Sequence, residues 1–231
     1  MPADRLLKEY LANFPQKSFE KDDLLVPIDQ KLNHLFYLKT GYVNQYSVSG
    51  SGQEFIHNIY KPGSIFPLHL ALNQLKTPFF FQALSKVEAS VIPVDEITDF
   101  LQKNPNMLLA LTKRLASGLN QLIYRFESLA VGVAQQKIAA ALYLLAKRFG
   151  SSAKGNLEKS SLKSLQKAPL IINAFPITHQ FLANMTSLTR ETVSAEMIKF
   201  KELKIIDYQS KVITILSPEK LKELSSLPFN Y

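Results

Sequence analysis

A stripe of leucines beginning just after Asn104-Pro105 is the strongest constraint on what this 231-residue chain can fold into. Leu108, Leu111, Leu115, Leu122 and Leu129 recur at three-, four- and seven-residue spacings, and Leu119, Ile123 and Phe126 widen the row. An α-helix turns once every 3.6 residues, so these positions share one face. Proline suits the first turn, where its missing N–H would have no intrahelical partner. The row runs for roughly five turns or more, interrupted by Gly118. A seam of this length pairs with a second copy of itself, and we take Leu108, Leu111, Leu115, Leu122 and Leu129 as a dimer interface. The alternative is a helix packed on its own chain, and one broad stripe has room for both contacts.

Ahead of this helix the chain reads mainly as strands. Leu35 to Leu38 is an apolar run, and Tyr42, Asn44, Tyr46 and Val48 alternate with Val43, Gln45 and Ser47. Alternation of period two is the mark of a strand. Ser49-Gly50-Ser51-Gly52 is a turn signal, because glycine tolerates the positive φ of a tight hairpin. Glu54 to Tyr60 returns as a strand, Pro62-Gly63 punctuates, and Phe79 to Phe81 and Val87 to Val94 follow as further apolar or β-branched runs. Short strands at this spacing predict a β-barrel or jelly roll. Met1 to Phe14 reads as a short amphipathic helix before it, and Asp95 to Gln102 as a short helix after it. Beyond the leucine stripe, Gly132 interrupts and Gln135 to Phe149 forms a helix rich in Ala and Leu. Ser151 to Ala168 carries five serines and four lysines and reads as a flexible insertion.

The charge is unevenly placed. Residues 1–131 hold thirteen Lys and Arg against twelve Asp and Glu, whereas residues 132–231 hold fourteen against seven. Nearly all of the net +8 therefore belongs to the C-terminal part, which points to a polyanion partner, nucleic acid first. The same part contains two short helices across a tight turn. Thr178 is an N-cap, and Phe181, Leu182 and Met185 face inward. Thr186-Ser187 is the turn. Thr189 caps a second helix, whose apolar side is Val193, Met197, Ile198 and Phe200, and Glu191 suits its positive end. Such a pair is a helix-turn-helix, and its second helix presents N-terminal residues to base edges in the major groove. Arg190 is placed for bidentate contact to guanine and Glu191 to accept from a cytosine amino group. Thr178, Thr189, Ser194 and Lys199 are candidate phosphate contacts. Ile205 to Tyr208 and Val212 to Ile215, across Gln209-Ser210-Lys211, read as a β-hairpin wing, and Pro218 to Leu224 as a last helix.

Other chemistry is poorly supplied. Composition is ordinary for a soluble globular protein, at 46% hydrophobic and 20% charged residues. With no cysteine, disulfides, thiolate zinc sites, cysteine-ligated clusters and cysteine nucleophiles are excluded. The first residues carry Asp4, Arg5, Lys8 and Glu9 and lack a signal-peptide core. No run approaches the ~18 apolar residues of a membrane span. We expect a soluble, cytoplasmic protein with no membrane partner. The histidines, His34, His57, His69 and His179, are not paired as one-face metal ligation requires. His57, His69 and Glu54 would make a forced metal-oxygenase set, and His69 a forced haem ligand. No catalytic triad, carboxylate pair or phosphate loop is present, so we expect neither an enzyme nor a cofactor.

Three stretches in order resemble the CRP/FNR family of bacterial transcription regulators. Ser187-Leu188-Thr189-Arg190-Glu191-Thr192-Val193-Ser194 resembles its recognition-helix signature, Asn104-Pro105 with the leucine-rich helix resembles its dimerisation helix, and Tyr37-Leu38-Lys39-Thr40-Gly41 through Pro62-Gly63 resembles its barrel. The resemblance implies an α+β chain with an N-terminal cyclic-nucleotide-binding-type barrel over 1–103, a dimerisation helix over 104–131 and a winged helix-turn-helix over 132–231. It further implies a homodimer on a roughly palindromic duplex, responsive to a signal and in contact with RNA polymerase. Two features depart from the cyclic-AMP-binding pattern. Phe66-Pro67-Leu68 stands where those members carry Gly-Glu, and Phe79 to Ala83 where they carry Arg-Ser, with no arginine between Arg5 and Arg114. A buried phosphate needs a cation or donors to offset its desolvation. Leu122 and Ile123 likewise offer no hydroxyl to a base. The barrel is then a filled apolar core, or a pocket for an apolar effector lined by Phe66, Leu68, Phe79, Phe81, Leu122, Ile123 and Phe126. Ala195 stands where many members carry a second recognition arginine. The rival reading is a ligand-binding or protein-interaction module whose winged helix no longer binds specific DNA.

Overall fold

The computed structural model describes residues 3–152 and 169–225. The chain divides into two compact units, Met1–Leu119 and Asn120–Tyr231. Most of the insertion expected over 151–168 lies outside the described residues. Among the described residues, no helix is long and apolar enough to cross a membrane.

The first unit opens with α1 (Ala3–Ala12), where Leu7 and Leu11, one turn apart, are each 1% exposed. Eight strands follow: β1 (Gln16–Phe19), β2 (Leu24–Val26), β3 (His34–Thr40), β4 (Val43–Val48), β5 (Glu54–Tyr60), β6 (Ile65–Phe66), β7 (Phe80–Ala83) and β8 (Val87–Pro93). A short helix, α2 (Leu68–Leu72), lies between β6 and β7. The strands form two antiparallel four-stranded sheets, ordered β1-β8-β3-β6 and β2-β7-β4-β5. The jelly-roll expectation therefore holds. The sequence reading misses β1, β2 and α2, because segments of three to five residues are too short to display a period.

Aromatic rings fill the space between the sheets. Phe66 packs on Tyr60, Phe36 and Phe81 with centroids 4.5, 5.6 and 5.8 Å apart. Phe66, Leu68 and Phe81 are buried. The sequence leaves a pocket or a filled core open at these residues, and the core is what the rings build. Phe79 is half-buried against the His57 ring at 4.8 Å. Leu122, Ile123 and Phe126 are exposed, Phe126 to 70%.

Helices α3 (Val94–Lys103) and α4 (Pro105–Val131) follow. Met107 and Leu111 of α4 join the barrel core, and the Arg114 guanidinium donates to the Gly63 carbonyl at 2.7 Å. This corrects one expectation. Leu111, expected in the dimer seam, packs at 5% exposure into its own barrel core and leaves almost no surface for a partner. Leu108, Leu115 and Leu122 stay 48–52% exposed, and Leu129 is half-buried.

In the second unit, α5 (Ala134–Phe149) buries Ile138, Leu142 and Leu145. A four-stranded sheet, ordered β11-β12-β10-β9, contains β9 (Ser151–Ser152), β10 (Leu170–Ile172), β11 (Ile206–Gln209) and β12 (Val212–Ile215). The sequence places Ser151 and Ser152 at the start of the insertion, but both pair with β10. Helices α6 (His179–Thr186), α7 (Arg190–Glu202) and α8 (Pro218–Leu224) complete the unit.

One glycine is required by close approach. Gly41 turns β3 into β4 at φ +81°, and a Cβ there would lie 2.2 Å from the Lys86 carbonyl oxygen. Both the backbone conformation and the contact exclude a side chain. Gly41→Ala should lower stability by about 2–4 kcal/mol, read as a shift in the urea midpoint of the full chain.

Candidate nucleic-acid interface

The reading head is built on two capped helix starts. Thr178 Oγ1 accepts from the Phe181 N–H at 3.0 Å, and Thr189 Oγ1 from the Thr192 N–H at 3.2 Å. Each satisfies one of the free donors of a first helical turn. Between the helices Ser187 adopts the left-handed conformation at φ 56°, and its N–H and that of Leu188 both donate to the Ala183 carbonyl. This closes α6 and reverses the chain within three residues. Below the turn, Thr186 is fully buried and donates to the Leu182 carbonyl at 2.7 Å.

Burial then sorts the faces of α7. Val193, Met197 and Phe200 are 0–1% exposed and lie three to four residues apart, as an inward helical face requires. Arg190, Glu191, Ala195, Ile198, Lys199 and Glu202 are exposed. The sequence assigns Ile198 to the apolar side, yet it is 51% exposed. It lies one residue past Met197, a step of roughly 100° around the helix, which carries it off the packed face. Thr178 is half-buried and Thr189 exposed. The Lys199 ammonium pairs with Glu196 at 2.6 Å on the same helix.

Ser194 behaves differently from the other expected contacts. Its hydroxyl donates to the Arg190 carbonyl at 2.8 Å and lies 2.7 Å from His179 Nδ1. The proton of this side chain is thus used inside the head. Burial first, and the charge of Arg190 second, hold the His179 imidazole below its ordinary range.

The hairpin β11–β12 pairs in register from Ile206↔Ile215 to Gln209↔Val212. Its two-residue turn has Ser210 and Lys211 at φ 47° and 72°, the doubly left-handed turn that matches the twist of a hairpin. The Ile177 N–H donates to the Lys211 carbonyl at 3.1 Å, which ties the wing turn to the start of α6.

The sequence reading does not single out Arg125. Its guanidinium donates to the Met185 carbonyl at 3.0 Å, one of the last carbonyls of α6 and without an intrahelical partner. Burial, with repulsion from Arg148, pulls Arg125 down to about 10, so it remains a cation at neutral pH. The clue in the sequence is a charged residue between Ile123 and Phe126 of an apolar row. No candidate metal centre appears: among the described residues no group of three His, Asp or Glu side chains is placed to hold an ion. Glu54 and His57 lie on β5, His69 lies on α2, and His57 Nε2 is 2.7 Å from Ser47 Oγ.

Residues 16–104 match the profile described as "Cyclic nucleotide-binding domain", and residues 136–224 match "Crp-like helix-turn-helix domain". The chain is 26% identical over 210 residues to the "Anaerobic regulatory protein" of Haemophilus influenzae, covering 91% of this chain and 76% of that one. It is 24% identical over 213 residues to the "Fumarate and nitrate reduction regulatory protein" of Yersinia pestis, covering 92% and 79%. Among solved structures, a CRP/FNR-family transcriptional regulator of Thermus thermophilus superposes with a TM-score of 0.69 at 22% identity, covering 91% of this chain and 98% of that one. A CooA mutant from Carboxydothermus hydrogenoformans superposes with a TM-score of 0.72 at 24% identity, covering 96% and 90%. These two likenesses are of fold.

The caps make a direct expectation. Thr178→Ala removes the acceptor for the Phe181 N–H and should destabilise the fold by about 1 kcal/mol. Chemical denaturation of the full chain, followed by far-UV circular dichroism, measures it.

Proposed function

From the premise that this chain belongs to the CRP/FNR family of transcription regulators, we propose that it acts as a homodimer that reads a roughly palindromic DNA duplex with the first turn of α7. The chain is a sequence-specific DNA-binding regulator and not an enzyme. One observation carries the residue assignment. Arg190 and Glu191 stand exposed at the capped N-terminus of a helix whose opposite face is buried. In the major groove, Arg190 donates in bidentate fashion to guanine O6 and N7, and Glu191 accepts from a cytosine amino group. Thr178, Thr189 and Lys199 fix the register through phosphates, Ser194 orders the helix start, and the basic charge of residues 132–231 supplies the salt-dependent attraction.

We assign α4 the dimer seam through Leu108, Leu115, Leu122 and Leu129, widened by Leu119, Ile123 and Phe126. Exposure of this row, in which only Leu129 is half-buried, supports the assignment. We retain the division proposed from sequence, with a sensor barrel over 1–103, the seam over 104–131 and the reading head over 132–231. A cytoplasmic location and contact with RNA polymerase complete the reading.

The barrel on this reading does not take a cyclic nucleotide. Phe66 and Phe81 occupy its interior, and no arginine lies between Arg5 and Arg114 to neutralise a phosphate. An apolar effector, the remaining class, would have to part those rings.

Arg190→Ala should cost about 1–3 kcal/mol on a specific duplex, while Lys199→Ala should weaken all duplexes alike and reduce the salt slope. Fluorescence anisotropy with specific and scrambled duplexes separates the two effects, and unchanged specific affinity in Arg190→Ala would end the role given to Arg190. Leu115→Glu with Leu122→Glu should convert the dimer to monomer in sedimentation velocity, because each change sets like charges facing across the seam.

A further inference from the structure

His179 is the side chain on which the reading head converges. It opens α6 and is half-buried. Its Nδ1 is 2.7 Å from Ser194 Oγ on α7, and its ring packs edge-on against Tyr208 on β11 with centroids 5.7 Å apart. One residue earlier is the Thr178 cap, and the residue before that is hydrogen-bonded to the wing turn. Both helices of the head and the wing therefore meet at this imidazole.

The hydrogen-bond order decides its chemistry. A serine hydroxyl carries one proton, and Ser194 gives it to the Arg190 carbonyl at 2.8 Å. Toward His179 the hydroxyl is an acceptor, so Nδ1 carries the hydrogen. In the neutral ring Nε2 is then a lone pair, on the side of the ring away from Ser194. Protonation puts an N–H and a full positive charge there and leaves the Ser194 bond intact.

Burial first, and the charge of Arg190 second, oppose that protonation in the free protein. The charged groups around the ring are, from α7, Arg190 and the carboxylate of Glu191, both exposed. From the wing they are Tyr208, with the Lys201 ammonium 4.9 Å over its ring, and Asp207, which pairs with that ammonium at 2.8 Å. Lys211 closes the wing turn, and the N-terminus of α6 itself adds partial positive charge. On the DNA-binding reading a duplex brings phosphates to the same corner, since Thr178, the preceding residue, is assigned to phosphate.

We propose that His179 is a proton-linked phosphate contact: neutral in the free protein, it becomes an imidazolium when a duplex docks, so that affinity for DNA rises as pH falls. The proposal rests on the DNA-binding reading above. The sign follows from linkage. In the free protein burial and the Arg190 charge hold the group below its ordinary range, and phosphates raise it in the complex. The extra affinity is complete below the free value and is lost as pH rises through the bound value.

The test uses the full chain and a duplex selected by that chain from a random-sequence pool, in anisotropy titrations at fixed ionic strength. As pH falls from about 7.5 to about 6 the wild type should tighten, by up to about tenfold per pH unit per protomer. His179→Asn keeps a donor for Ser194 but cannot charge, and should retain only the background slope of His34, His57 and His69, which all lie in the first unit. His179→Arg is always charged and should be equally flat, at an affinity no weaker than the wild type at low pH. Calorimetry of the wild type in buffers of different ionisation heat should show about one proton taken up per protomer on binding. A wild-type slope surviving in His179→Asn, or binding without proton uptake, overturns the proposal and leaves the DNA-binding reading standing. No duplex selected or bound at either pH overturns both.

Discussion

Met107 and Leu111 bury one side of α4 in the barrel core, while Leu108, Leu115, Leu119, Leu122 and Phe126 leave another side open to water. The exposed positions are spaced by three, four and seven residues. With Thr112 and the half-buried Leu129 they fill every a and d place of a heptad from 108 to 129. Fully burying a leucine contributes about 1.5–3 kcal/mol relative to leaving it exposed, so a single chain leaves this row's stabilisation unrealised. In the dimer proposed above, a second copy, identical in spacing, realises it. With two such faces, one helix would serve a barrel and a partner without competition between them.

The reading head depends on a different kind of constraint, the need of helix ends for hydrogen-bond partners. Thr178 and Thr189 cap the two starts, Ser187 closes α6 in a left-handed conformation, and Arg125 meets a carbonyl at its end. A left-handed serine costs of order 1 kcal/mol or more, and the two N–H groups that converge on Ala183 hold it there. With the turn set, burial of Val193, Met197 and Phe200 fixes the rotation of α7. The exposure of Arg190 and Glu191 is a consequence of that rotation, and so is the capture of Ser194 by His179.

In the barrel, apolar contact decides which ligand chemistry the interior tolerates. Rings of Phe36, Tyr60, Phe66 and Phe81 stack at 4.5–6.1 Å, and the Tyr60 hydroxyl donates to Gln45 at 2.8 Å. A neutral polar pair inside an aromatic stack is self-satisfied. On the reading proposed above, an anionic ligand would lose its hydration there. The profile of a cyclic nucleotide-binding domain is thus matched by a barrel whose interior is filled with aromatic rings.

Periodicity alone determined the long helix, the hairpin strands of the barrel, both helices of the reading head and the wing, because each is long enough to show its period or is bounded by a turn residue. Thr178 and Thr189 were legible as caps, since their role is local. The sequence also determined what is absent from the barrel, through the gap between Arg5 and Arg114. Only the tertiary structure decided the rest. β1, β2, β9 and β10 are two to four residues long and exist because a neighbouring strand pairs with them. Leu111 and Leu115 look alike in sequence, and their separation into buried core and exposed face comes from which side of α4 the barrel occupies. Ile198 turned outward, Ser194 turned inward and His179 joined three elements for the same reason: which helix face is buried, and which side chains meet across it, is set by packing between segments distant in the chain.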